Sequence, residues 1–159
     1  MQGLSKGTML EFIIILLLII AMNLIGIQKV YEVNRNNQIK IETSSKLQNI
    51  MEYCKINRTD IEKSIQQLGG ILSETSENYS KLVLYYDETW KQIVPAMEAA
   101  YSVELEIKTT EHTYGKLRDI ILEGYEVEHY NEVQHGTKGN GKSLLLTIEG
   151  NCIIGEGEM

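Results

Sequence analysis

Met9-Leu-Glu-Phe-Ile-Ile-Ile-Leu-Leu-Leu-Ile-Ile-Ala-Met-Asn-Leu-Ile-Gly-Ile27 decides how the rest of the chain is read. Only Glu11 and Asn23 interrupt a run of roughly 19 residues. At ~1.5 Å of rise per residue, a helix of that length falls just short of the roughly 30 Å hydrocarbon core of a bilayer. A cleaved secretory signal would have a shorter apolar core followed by a small-x-small site, and Gly26-Ile-Gln-Lys-Val-Tyr31 is a poor one. A buried core helix would not be apolar on every face. The stretch therefore reads as a retained membrane span. Glu11 is costly there unless it reaches the interface or meets a positive charge, and Asn23 needs a partner helix or a backbone carbonyl.

Working outward, the span leaves about 130 of the chain's 159 residues for a water-facing body, enough for one folded domain. The net charge is −7, and the lysines are scattered singly, so nucleic acid is not an expected partner. Two distant cysteines, Cys54 and Cys152, make neither a CxxC pair nor a zinc cluster, which rules out a disulfide scaffold. Lys6 lies before the span and Lys29, Arg35 and Lys40 after it, so a simple basic count would place the body on the cytoplasmic side.

Between Gln28 and Ile56 there is no glycine or proline, and Val30, Val33, Ile39, Leu47, Ile50, Met51 and Cys54 recur mostly at helical steps. Asn34-Arg-Asn-Asn-Gln38 is a polar interval within that pattern. Thr59-Asp-Ile-Glu62 has the spacing of a capping box, and Gly69-Gly70 that of a left-handed stop, so a short second helix is expected between them. After Ser80 the period becomes two: Val103, Leu105 and Ile107 alternate with Ser102, Glu104, Glu106 and Lys108. Residues Lys81–Tyr86, Arg118–Leu122, Tyr125–Val133 and Ser143–Glu149 also read as strands, with turns at Asp87-Glu88, Tyr114-Gly115, Gly124 and Gly136–Gly141. Such short connections force antiparallel neighbours, so the body is a meander with one face left for the amphipathic helix to cover.

The order Ser5-Lys-Gly7, Thr8-Met-Leu-Glu-Phe12, apolar helix and amphipathic helix resembles the N-terminus of type IV pilin-like proteins. These include minor pilins, the minor pseudopilins of type II secretion systems and, as a near neighbour, Tad-type minor pilins. Ser45-Lys-Leu-Gln-Asn-Ile-Met-Glu-Tyr-Cys-Lys55 is similar to the end of their long helix, so the resemblance covers about the first 55 residues. It implies an α+β fold in which a long transmembrane-to-amphipathic helix packs on a C-terminal antiparallel sheet. The implied organisation is a leader (1–7), a transmembrane helix (8–27), an extended helix with a short second one (28–70) and a sheet domain (71–159).

The resemblance further implies processing by a prepilin peptidase around Lys6, Gly7 and Thr8, and assembly through Glu11 and Phe12. In the family the acid is the fifth mature residue and neutralises a neighbouring subunit's terminal amine. Glu11 is fifth if the cut follows Lys6 and fourth if it follows Gly7. The expected partners are other pilin-like subunits, the peptidase and the lipid bilayer, in a single-pass membrane protein whose body is extracytoplasmic. On that side Cys54 and Cys152 form a possible disulfide between the long helix and the last strand, or serve as two small apolar residues. A different class of reading is a single-pass anchor carrying a sensing or scaffold domain, with no cleavage and no filament.

Enzyme chemistry and cofactors are not expected. Gly136-Thr-Lys-Gly-Asn-Gly-Lys-Ser143 fits the P-loop pattern by letter, but Leu144-Leu-Leu-Thr-Ile-Glu149 reads as a strand where a helix is required. It fits a glycine-rich hairpin tip better. His112, His129 and His135 do not have metal-ligand spacing for a helix, and the abundant tyrosines suit either a sheet face or a subunit contact.

Overall fold

The computed structural model describes residues 5–94, 99–128 and 141–155. The elements are α1 (Lys6–Ile56), α2 (Ile61–Gln67), β1 (Ile71–Ser76), β2 (Tyr79–Tyr86), β3 (Tyr101–His112), β4 (Gly115–Glu128) and β5 (Gly141–Ile154). The strands form one antiparallel sheet in the order β1-β2-β3-β4-β5, the expected meander. The fold is α+β. By contacts the chain divides into two compact units, Met1–Ile39 and Lys40–Met159. The polar interval at residues 34–38 does not break α1, because none of its side chains prevents the backbone from bonding to the preceding turn.

In the Lys40–Met159 unit the core lies between one sheet face and the last turns of α1. Thr43, Leu47, Ile50, Met51 and Cys54 are buried on the helix, and Ile61 and Ile65 on α2. Facing them are Leu82 and Leu84 of β2, Val103, Leu105 and Ile107 of β3, and Ile120 and Leu122 of β4, all buried. Each such side chain contributes roughly 1.5–3 kcal/mol of transfer free energy. The alternation read in β3 is therefore the core-facing period of the sheet.

Two local expectations are corrected, and one strand is added. Gly124 is not a turn: β4 runs through it, with Val103 opposite on β3 and Leu146 on β5. A Cβ there would lie 2.6 Å from Thr43 Cγ2 and 3.2 Å from Leu47 Cδ1, so this glycine lets the helix approach the sheet. The β4–β5 register shifts beside it, between Gly124 and Tyr125. The capping box does not form: Asp60 is the N-cap of α2, without a side-chain cap bond, and Glu62 points instead toward Arg118 and Ser80. A strand not anticipated, β1, pairs with β2 although every one of its residues is exposed.

The stop at Gly69-Gly70 forms as expected. Gly69 has φ 91°, its N–H donates to Gln66 O at 2.9 Å, and the Gly70 N–H donates to Ile65 O at 2.9 Å, the paired bonds of a Schellman cap. After β2, Asp87 Oδ1 accepts from the Thr89 and Lys91 backbone N–H groups at 2.8 and 3.0 Å. That turn sets Trp90 at φ 59°, where it stacks on Tyr101 with ring centroids 4.3 Å apart. The expected strand over Tyr125–Val133 is described only as far as Glu128, and most of Gly136–Gly141 lies outside the described residues.

A candidate assembly helix

The N-terminal part of α1 begins with a serine cap. The Ser5 hydroxyl accepts from the Thr8 N–H at 3.3 Å and shares a 2.6 Å bond with the Thr8 hydroxyl, and the Met9 N–H donates to Ser5 O at 3.0 Å. Lys6, Gly7 and Thr8, the residues at the expected processing site, therefore form the exposed first turn.

One turn further on come Glu11 and Phe12, both exposed on the helix surface. Among the described residues the Glu11 carboxylate has no hydrogen-bond or ion-pair partner. From Met9 to Ile27 the large apolar side chains are 47% to 72% exposed. This helix is long and apolar enough to cross a membrane. Asn23, the second polar intruder, is satisfied locally: its side-chain amide donates to Ile19 O at 2.9 Å, one turn back. The two intruders thus differ, since the amide is answered by the helix and the carboxylate is not.

The other sequence candidates lie in the Lys40–Met159 unit. Lys142 and Ser143, the last letters of the P-loop pattern, belong to β5 rather than to a helix, and Lys142 binds Glu104. His112 ends β3 and is exposed, while His129 and His135 lie outside the described residues. Among the described residues no cluster of three metal-binding side chains occurs. Cys54 is buried and Cys152 half-buried, and both are free thiols.

The sheet face opposite α1 carries a charged network that the sequence reading did not single out. Glu104 is only 8% exposed and holds Lys81 at 2.8 Å on one side and Lys142 on the other. Lys81 also approaches Glu106 at 3.5 Å, and the Tyr125 hydroxyl donates to Glu123. Burial pushes the Glu104 carboxyl up, but the hydrogen bonds and the positive charges of Lys142 and Lys81 together hold it below its ordinary value. Lys81 is held above its ordinary value, chiefly by its bond to Glu104. The available signal was the alternation of β3, which put Glu104 and Glu106 on one face. The register that brings lysines from β2 and β5 beside them is a long-range fact.

Comparison of the chain with family models, curated proteins and solved structures gave no match. The architecture itself, a long N-terminal apolar helix whose end packs on an antiparallel sheet, is pilin-like.

Proposed function

We propose that this chain is a minor pilin or pseudopilin, a subunit that assembles through its N-terminal helix into a type IV pilus-like or secretion pseudopilus filament. The observation that carries the reading is Glu11, whose carboxylate has no partner among the described residues and which lies in the stretch Met9–Ile27, where the large apolar side chains are all exposed. In hydrocarbon such a group is tolerated when an opposite charge is supplied, and the N-terminal ammonium of a neighbouring processed subunit is the supply this reading assigns. Phe12–Ile27 then provides the packing surface between subunits, and the sheet domain forms the outer surface or a tip.

The reading makes the body extracytoplasmic and the mature N-terminus a product of prepilin peptidase, cut at Lys6-Gly7 or Gly7-Thr8 and open to N-methylation. Mass spectrometry of the protein from a peptidase-containing cell is expected to find the leader removed. Glu11→Val is expected to lower recovery in filaments roughly a hundredfold, the equivalent of a few kcal/mol for a broken pair in low dielectric, while membrane insertion persists. An intact Met1 together with normal incorporation of Glu11→Val would leave a single-pass anchor carrying a sensing or scaffold domain.

A further inference from the structure

We propose that Cys54 and Cys152 are a cross-linking pair, oxidised by a disulfide donor to a bridge that fastens the end of α1 to β5. The registry of helix on sheet carries this. A Cβ on Gly124 would strike Thr43, and Gly124 is paired with Leu146 of β5. Further along, a Cβ on Gly150 would lie 2.5 Å from Met51 Sδ. From Thr43 to Met51 the helix advances about 12 Å, and from Leu146 to Gly150 the strand advances about 13 Å, so the two run in step. The next core-facing position on the helix is Cys54, and on the strand, two residues after Gly150, it is Cys152. Cys152 also lies opposite Arg118, whose guanidinium reaches Glu62 of α2 at 3.0 Å, which keeps this end of β5 on the helix-covered face. All of these residues belong to the Lys40–Met159 unit, so the inference does not rest on the filament reading.

The surroundings assign an order to the two sulfurs. Burial, with the neighbouring Cys152 and Glu62 as lesser causes, pushes the Cys54 thiol up to about 12. Cys152 is also raised by burial, but Arg118, Arg58 and Lys55 oppose that rise. Cys152 is therefore the attacking thiol. It gives its proton to solvent and its thiolate attacks one sulfur of a donor disulfide, either oxidised glutathione or a thiol–disulfide oxidoreductase, expelling one donor thiolate. Cys54, deprotonated in turn, attacks the Cys152 sulfur and expels the second. Two electrons and two protons leave the protein, and the donor becomes two thiols.

The test uses the full-length chain in detergent micelles, incubated with oxidised glutathione, then denatured, alkylated and digested. The expected product is roughly 2 Da lighter than the reduced chain, gives a Cys54–Cys152 linked peptide and unfolds roughly 10 °C higher than the reduced form. Cys152→Ser, at the half-buried partner, is expected to lose both the mass change and the thermal shift, and it serves even where Cys54→Ala fails to fold. Two alkylated thiols after oxidation, a glutathione adduct that persists on Cys152, or a dimer linked through Cys152 would each overturn the proposal.

Discussion

Gly124 and Gly150 are where a single hydrogen atom in place of a methyl group decides whether helix and sheet can meet. At Gly124 the missing Cβ leaves room for Thr43 and Leu47, and at Gly150 for Met51. The two sites differ in what would have to yield. Thr43 is β-branched and fully buried, with few alternative rotamers, whereas Met51 ends in a flexible thioether. Gly124→Ala is therefore expected to destabilise the protein by about 1–3 kcal/mol, read as a lowered urea midpoint with an unchanged slope, and Gly150→Ala by less. Equal losses at the two sites, or none at Gly124, would contradict the close-approach account of the strand glycine. In the sequence Gly124 looks like a turn because a strand glycine and a turn glycine carry the same letter. The distinction lies in what stands opposite, and Thr43 is some eighty residues away.

At the scale of elements, whatever was periodic was legible. The apolar run and the 3.6-residue pattern after it gave α1, the period of two gave β3, and the paired glycines ended α2, because each signal depends on neighbours along the chain. β1 was not legible: Ile71-Leu-Ser-Glu-Thr-Ser76 has no alternation to show, as all six residues are exposed, and only its pairing with β2 makes it a strand. Glu62 departs from its local pattern for a related reason: its spacing suits a local cap, but Arg118 and Ser80 on distant strands take it.

The network joining β2, β3 and β5 through Glu104 has a measurable consequence. A carboxyl held below its ordinary value stabilises the fold above that value, and the contribution is lost as pH falls through the folded-state value. Lys81, held above its ordinary value, contributes below that value, and the contribution is lost only as pH rises well into the alkaline range. The network is thus complete across neutral pH and fails first on the acid side, below about pH 4.5. Thermal midpoints measured from pH 7 down to pH 3 are expected to fall more steeply for the native chain than for Glu104→Gln, which is less stable at neutral pH. Parallel curves for the two would show that Glu104 contributes nothing to the acid limb.

For the whole molecule, the question is what medium surrounds residues 9–27, since water is a poor one for side chains about half to three quarters exposed on every face of a helix. A bilayer and a sleeve of partner subunits both satisfy apolar surface, and they respond differently to charge. Arginine near the centre of a span costs about 2.5–3.5 kcal/mol, so Leu17→Arg combined with Ile20→Arg opposes insertion by about 5–7 kcal/mol, more than a thousandfold. The native chain expressed alone, without other filament proteins, is expected to stay with membranes through an alkaline carbonate wash, and the doubly substituted chain to be released. Glu11→Val removes a charge rather than adding one, so it is expected to resist the wash as the native chain does. That behaviour separates anchoring, which belongs to the apolar run as a whole, from assembly, which the proposal gives to the single carboxylate. If the native chain washes off when its partners are missing, protein rather than lipid covers the helix, and the span reading of residues 9–27 fails with it.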